Sequence, residues 1–232
     1  MSLGQALATA MSGLRANQAA LALVSSNVAN AETPGYIKKS LIQTATTTAD
    51  YGSSVRVAGV NRELDAFVQA QLRTEMSGAA YANIRSTFLS NLQGVYGNPD
   101  STGTLEAAFN TLTTAIQALS TSPDSQSARI GVINAAQNIA QQLNQASQGV
   151  QALRNTAENG LASSVSTANN AMSQIAAINN QLLSGNQTDA STASLLDQRD
   201  QYINQLSQLM DIKVVANDSN QVSVFTTSGV QL

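Results

Sequence analysis

The longest regular feature of the sequence is a helical apolar period that runs from residue 125 to about Leu183. Along this stretch apolar residues return every three or four positions, which is the spacing of one face of an α-helix. A helix of about sixty residues is about 90 Å long at the usual rise per residue, and compact globular domains rarely hold one. The period therefore predicts a mainly α chain, an elongated helical bundle or coiled coil. Its apolar face consists of Ile139, Leu143, Ala146, Val150, Leu153, Leu161, Val165, Met172, Ile175 and Leu182.

Charged residues are sparse along this predicted helix. Residues 125–196 carry only Arg129, Arg154, Glu158 and Asp189. Two-stranded coiled coils ordinarily place charged residues beside their apolar seam. A surface of Gln, Asn, Ser and Thr therefore favours packing against neighbouring subunits over free solvation.

The composition of the whole chain excludes several function classes. The net charge is −3 and the densest basic run is Lys38–Lys39, so no patch of cations is available to neutralise nucleic-acid phosphates. No apolar run approaches the roughly 18 residues of a membrane-spanning helix. The chain has no cysteine and no histidine, which rules out thiolate nucleophiles, Ser-His-Asp triads and His-based zinc sites. We therefore expect no catalytic residue, cofactor or metal site, and neither a nucleic-acid nor a membrane partner.

The N-terminal stretch predicts an amphipathic helix with a heptad seam. Apolar residues recur at intervals of seven, with a second position offset by three or four, which is the pattern of a coiled coil. The only charged residue before Glu32 is Arg15. This pattern favours a helix that assembles with other helices, and an ordinary core-packing helix remains the alternative. The predicted assembly seam consists of Leu3, Leu7, Leu14, Leu21, Val24 and Val28.

A sharp turn follows this helix. Asn30 is a suitable helix C-terminal residue because asparagine tolerates the left-handed conformation. Thr33 precedes a proline and is pushed towards extended backbone. Pro34 and Gly35 occupy the two central positions that a type II turn prefers. Tyr36 then offers an anchor for packing. Together with Asn27, these residues form the signature turn: Asn27, Asn30, Thr33, Pro34, Gly35 and Tyr36.

The rest of the chain divides into segments by its changes of period. Asn61 is a suitable cap for the next helix, and Ser122 with Pro123 predicts the start of the longest one. A polar loop is predicted over 184–192, and a helix over 195–210. Period two over Ile212–Val224 then predicts a hairpin. The predicted domains are a coiled-coil helix with its Pro-Gly turn (1–35), an extended linker with β character (36–60), an elongated helical bundle (61–210) and the start of a truncated β region (211–232).

Asp197 and Asp200 are the candidate acidic site. Their spacing of three places both carboxylates on one helix face, where they suit a cation or acid–base chemistry. The competing interpretation makes them first-turn acids of the last helix, paired with Arg199 or Arg154. We favour this structural interpretation.

The segment from Ser26 to Tyr36 resembles the N-terminal signature of the flagellar axial proteins, which include rod, hook and hook-associated proteins. The likeness is dense over residues 12–36. Several long helices follow where rod and hook families move into β structure, so the chain resembles the hook-associated protein 1 family most. Residues 57–72 and 195–201 share this likeness. The family also has a C-terminal helix that pairs with the N-terminal one, and no such segment is found, so we expect an N-terminal part.

The resemblance implies a structural subunit that forms a ring at the junction of hook and filament. Its implied partners are further copies of itself, the hook protein, a second hook-associated junction protein, an export chaperone and the type III export apparatus. The implied location is the extracellular flagellum, reached without a cleaved signal. Residues 1–7 do lack the basic and apolar regions of a Sec signal peptide. A hook or rod subunit, a coiled-coil secreted effector or adhesin, and an enzyme carried on an axial domain remain as alternatives.

Overall fold

The computed structural model describes residues 3–48, 52–98, 101–184, 190–217 and 220–232. Within these ranges it holds five helices and two antiparallel hairpins, so the predicted mainly α fold is confirmed. None of the helices in these ranges is long and apolar enough to cross a lipid bilayer. In chain order the elements are α1 (Leu3–Ala29), β1 (Lys39–Thr48), β2 (Gly52–Arg62), α2 (Ala66–Tyr96), α3 (Leu105–Thr121), α4 (Gln126–Ser184), α5 (Ala190–Ser207), β3 (Ile212–Ala216) and β4 (Val222–Thr226).

The chain divides into two compact units. The first comprises Met1–Ala79 and Ser166–Leu232, and the second comprises Ala80–Val165. The bounds of these two units differ from those of the four segments predicted from the sequence. The four segments remain predictions.

The first unit has its apolar core where the end of α4, α5 and the β3–β4 hairpin meet. Ile203 and Leu206 are fully buried there, because α5 turns this face towards α4 and towards Val224 of β4. The predicted hairpin is confirmed, with Val214 opposite Val224. Partly buried apolar side chains close the core around them: Met172, Tyr202, Met210, Ile212, Val214 and Val222.

The second hairpin of this unit occupies the predicted linker. Residues 36–60, predicted as an extended linker with β character, supply most of β1 and β2, which pair from Lys39–Arg62 to Thr48–Gly52. The register shifts between Ile42 and Gln43, where Ala58 of β2 has no partner residue in β1, which is the pattern of a β-bulge in β2. Val55 and Val57 have the spacing of one face of a strand, but nothing local indicated the partner strand.

The second unit is helical. It contains the later part of α2, all of α3 and the earlier part of α4. Thr104 caps α3 by accepting a hydrogen bond from the Ala107 N–H at 3.2 Å. Gly149 lets α4 approach α2 closely, since a Cβ there would lie 2.8 Å from Cγ1 of Val95. Ala108, Ala135 and Ile139 are the buried apolar residues of this unit.

Several predicted helix ends were wrong. Asn61 lies in β2, and α2 is capped by Asp65, whose carboxylate accepts from the Phe67 N–H at 2.9 Å. Ser122 ends α3, and Ser125 caps α4 by accepting from the Ala128 N–H at 3.3 Å. Pro123 lies at the break between α3 and α4, as predicted, but the cap of α4 is Ser125, three residues after Ser122. The predicted loop over 184–192 is shorter, because α5 already begins at Ala190, and residues 185–189 lie outside the described residues.

Candidate functional site

The predicted assembly seam of α1 lies on the protein surface. Its exposed fractions range from 52% at Leu14 to 91% at Leu3. No described element of the chain covers this stripe. Burying an aliphatic side chain of this size stabilises a protein by about 1.5–3 kcal/mol, so the exposed seam is an unusual feature for a single chain in water.

The other face of α1 packs on the β1–β2 hairpin. Ala16 is buried on this face, and its small side chain permits close approach of helix and sheet. The Ser12 hydroxyl accepts a hydrogen bond from the Val55 N–H at 3.3 Å. Ala16 and Leu14 are two residues apart, which places them about 200° apart around the helix, at 3.6 residues per turn. The hairpin therefore holds α1 with its seam turned outwards.

Asn27 of the signature turn joins α1 to β1. Its side-chain amide donates to the Lys39 carbonyl at 2.8 Å, and its Oδ1 accepts from the Lys39 N–H at 3.0 Å. The same oxygen accepts from the Tyr36 hydroxyl at 2.8 Å. Asn27 thus satisfies both backbone groups of Lys39, as a neighbouring strand would.

Asn30 and Thr33 shape the start of the turn. The Asn30 side chain donates to the Ser26 carbonyl at 2.9 Å, and Thr33 donates to Asn30 Oδ1 at 3.3 Å. The Ser26 carbonyl also accepts from the Asn30 N–H at 3.1 Å, so the Asn30 side chain adds a second bond to the last turn of α1. Asn30 itself is not left-handed, because Asn220 is the one described non-glycine residue with positive φ. The predicted left-handed role for Asn30 was therefore wrong.

Pro34 and Gly35 bring the turn against α5. Gly35 has φ +80°, as the third position of a type II turn requires. A Cβ at Gly35 would be strained by the positive φ, and it would lie 2.7 Å from Cγ of Gln201, whose side chain would have to move. Gln201 donates to the Pro34 carbonyl at 3.3 Å. The close fit explains why the turn needs glycine here.

Beneath the turn lies a charged cluster, formed by Lys39, Arg62, Arg73, Asp197 and Asp200. Lys39 bonds to Oδ2 of Asp197, while its ammonium lies 3.9 Å from the centre of the Tyr36 ring. Arg62 Nε lies 2.8 Å from Asp197 Oδ1, and its Nη2 bonds to Asp200 Oδ2. Arg73 Nη2 lies 2.9 Å from Asp200 Oδ1. All five side chains are nearly buried. The cluster ties β1, β2, α2 and α5 together.

The interpretation of Asp197 and Asp200 as first-turn acids paired with Arg199 or Arg154 was wrong, although both carboxylates do form ion pairs. Neither carboxylate pairs with Arg199 or Arg154 in the part of the chain that the structure describes. Their partners lie more than a hundred residues away, on β1, β2 and α2. They are also not first-turn acids, since α5 begins at Ala190. Each carboxylate is shared between two cations, which leaves neither set up as an acid–base pair.

Arg199 of α5 makes a separate set of hydrogen bonds, to α4 and to the turn before β4. Its Nη1 donates to Asn179 Oδ1 at 3.0 Å and also to the Asn220 carbonyl. Asn179 in turn holds β4, donating to the Val222 carbonyl at 2.9 Å and accepting from the Val222 N–H. Burial lowers the pKa of Arg199 to about 10, and burial likewise lowers the pKa of Arg73, against the raising effect of Asp200. Sequence analysis missed Asn179, whose only signal was a polar residue near the apolar face of α4.

The described side chains offer no place for a metal ion, since no group of three acidic, histidine or cysteine residues comes together among them. The ion pairs of the charged cluster fasten four elements of the first unit together. The site joins the base of α1 to the core of the first unit and leaves the seam of α1 exposed.

Comparison with known proteins places this arrangement in a family. The sequence model of the family described as flagellar hook-associated protein FlgK helical domain matches residues 89–232. That of the family described as flagella basal body rod protein matches residues 7–36, the stretch with the seam and the signature turn.

Curated relatives and a solved structure agree with this match. Flagellar hook-associated protein 1 of Bacillus subtilis is 30% identical over 96% of the chain and 46% of the relative's length. The Salmonella typhimurium protein of the same name is 30% identical over 96% of the chain and 41% of its length. The chain thus spans less than half of these relatives. The flagellar hook junction protein FlgK from Burkholderia pseudomallei has TM-score 0.63 at 30% identity, over 70% of this chain and 28% of that one. The chain belongs to the FlgK family of flagellar hook-associated proteins.

Proposed function

We propose that this chain is a structural subunit of the bacterial flagellum, which acts at the junction of hook and filament and catalyses no reaction. The names of its relatives, flagellar hook-associated protein 1 and flagellar hook junction protein, support this role. The fastening geometry of the charged cluster supports a mechanical role as well. In this role the hook protein and a second hook-associated protein are its neighbours, and the type III apparatus with an export chaperone delivers it.

The observation that carries the proposal is the exposed seam of α1. The apolar stripe from Leu3 to Val28 lies in water, while Asn27 and the charged cluster hold the base of the same helix. A helix fixed at one end presents its seam in a defined direction, which lowers the entropy cost of association. Self-assembly into a ring would bury the seam against helices of neighbouring subunits, in heptad register.

The test compares three charge insertions in α1, two in the seam and one outside it. Leu14→Glu and Leu21→Glu place a carboxylate in the seam, where its desolvation costs several kcal/mol on assembly. Ala8→Glu adds the same charge at an exposed position about a third of a turn from the seam, which makes it the matched control. The measurement is binding of each purified protein to isolated hooks, seen by negative-stain microscopy at the distal end.

We expect the wild type and Ala8→Glu to bind the distal hook end and the two seam variants to lose binding. Equal binding by all four proteins would show that the seam takes no part. Binding along the rod, or no binding to hooks by the wild type, would favour the second candidate, a rod subunit. The match of residues 7–36 to the rod protein family is the observation in its favour.

A further inference from the structure

A cavity of about 480 Å³ opens beside the charged cluster within the first unit. Three arginines line it, Arg62 from β2, Arg73 from α2 and Arg199 from α5, together with Lys213 of β3. Asp200 is the only acidic residue in its lining, as far as the described residues go. The remaining walls are mostly apolar side chains, with the polar Gln69 and Thr74 of α2 among them. We call this cavity the arginine pocket.

The charges around the arginine pocket do not balance. Lys39, Arg62, Arg73 and Arg199 face only Asp197 and Asp200, which leaves an excess of two positive charges among nearly buried groups. Within the described ranges these six residues form no ion pair with any other acid. A buried charge without a counter-charge costs several kcal/mol. Burial lowers the pKa of Arg199, and the neighbouring Arg62 and Arg73 lower it further, against the raising effect of Asp200.

The guanidinium groups retain donors for a further ligand. Arg73 donates from Nε to Asn204 and from Nη2 to Asp200, and Arg62 donates from Nη2 to Asp200. Arg62 Nε lies 2.8 Å from Asp197 Oδ1 as an ion pair but makes no hydrogen bond, so this buried nitrogen is without an acceptor. Arg199 uses Nη1, and its Nε is buried with no hydrogen-bond partner in the structure. Arg199 as a whole is 5% exposed. A buried, unpartnered donor on a residue that lines a cavity points to an acceptor that belongs there.

We propose that the arginine pocket binds a tetrahedral oxyanion of the phosphate or sulfate type. Such an ion carries the negative charge that the cluster lacks, and its several oxygens match guanidinium donors that converge from three elements. Lys213, exposed on β3, adds a flexible cation at the rim. The cavity is larger than an inorganic oxyanion needs, so the phosphoryl group of a small phosphate monoester also fits. This site is independent of the seam of α1.

The test is thermal unfolding with added anions at matched ionic strength. Sodium phosphate and sodium sulfate should raise the unfolding midpoint by a few degrees and saturate, because a ligand of the native state alone stabilises it. Sodium chloride is the control for screening, and sodium acetate is the control for a carboxylate. Glycerol phosphate distinguishes a free ion from a phosphoryl group: a larger rise than with phosphate assigns the pocket to a monoester, and an equal or smaller rise assigns it to the free ion.

Three variants locate the effect. Arg199→Gln should abolish the saturable rise, and Lys213→Gln should weaken the apparent affinity for phosphate severalfold. Arg56→Gln, at an exposed position of β2, is the matched control and should respond as the wild type does. If Arg199→Gln does not fold, Lys213→Gln decides alone. A wild-type rise no greater than in chloride, a rise equal to that in acetate, or a rise that Lys213→Gln and Arg199→Gln leave unchanged would overturn the proposal.

Discussion

Helices α1 and α5 reverse the usual relation between polarity and burial. Helix α1 is rich in Ala, Leu and Val, yet Ala16 is its only buried residue among those described. Helix α5 carries two aspartates and an arginine, and all three are buried. Residue type alone therefore does not decide which helix lies inside. The availability of partners decides it.

Helix α5 can bury its charges because cations reach them from three other elements. Lys39, Arg62 and Arg73 come from β1, β2 and α2, and they bond to Asp197 and Asp200. A buried carboxylate that is paired and hydrogen-bonded avoids most of the cost of leaving water. The same face of the helix would be unstable if any one of these elements moved away.

Helix α1 has no such partners on its seam. The hairpin covers only the side that carries Ala16, and nothing described in the chain reaches Leu7, Leu14 or Leu21. Its apolar residues thus contribute little to the stability of a single chain. They remain available for association, which is what the proposed function requires.

Removing one carboxylate from the cluster should have the largest effect. Asp200→Asn leaves Arg62 and Arg73 buried with one charge fewer to share, and breaking a buried pair costs about 3–5 kcal/mol. The free energy of unfolding, from urea titration followed by circular dichroism, should fall by that amount. Asp124→Asn is the matched control, because its carboxylate is exposed and lies 3.7 Å from Arg129. If both variants lost the same unfolding free energy, the buried carboxylate of α5 would matter no more than an exposed one. The contrast between α5 and α1 would then fail.

The signature turn should be the next most sensitive position. Gly35→Ala places a side chain at positive φ and into Gln201, so we expect a loss of about 2–3 kcal/mol of unfolding free energy. Gly229→Ala isolates the backbone part, since Gly229 has φ +87° and no atom within 4 Å of its Cβ position. If contact with Gln201 adds to the cost, Gly35→Ala loses more unfolding free energy than Gly229→Ala. The double variant Gly35→Ala with Gln201→Ala should recover that difference. If the double variant is no more stable than Gly35→Ala, contact with α5 is not what restricts the turn.

Asn27 tests how the C-terminal end of α1 is held to β1. Asn27→Ala removes the bonds to both backbone groups of Lys39 and to Tyr36, and it should cost about 1–2 kcal/mol through unsatisfied polar groups. Amide exchange measured by mass spectrometry should rise at the C-terminal end of α1 and the start of β1. Asn17→Ala, at an exposed position of the same helix, should leave exchange in both places as in the wild type. Unchanged exchange in Asn27→Ala would show that other contacts hold the helix.

The seam should have the smallest effect on the stability of the single chain. Leu14 is 52% exposed, so Leu14→Glu should change the unfolding free energy of the monomer by less than about 1 kcal/mol. Sedimentation velocity would establish the monomeric state before urea titration. A loss as large as that of Asp200→Asn would mean that the seam is part of the monomer core, and it would remove the difference between the two helices.

Local patterns in the sequence were enough to predict the elements that local physics controls. The apolar period of α4, the proline break at Pro123, and the alternation of β3 and β4 all depend on neighbours within a few residues. The heptad of α1 and the Pro-Gly turn are of the same kind. These features carried both the fold class and the family resemblance, because helix period and turn geometry are encoded by adjacent side chains.

Only the tertiary structure decided what surrounds each side chain. Asp197 and Asp200 have the local pattern of surface acids, and their burial depends on Arg62 and Arg73, which lie more than 120 residues away in the chain. The pairing of β1 with β2 and the packing of Gly35 on Gln201 are equally non-local. The sequence by itself determined where helices and turns form, since those depend on backbone preference and periodicity. Burial and charge pairing depend on which distant segments meet, and no local pattern encodes that.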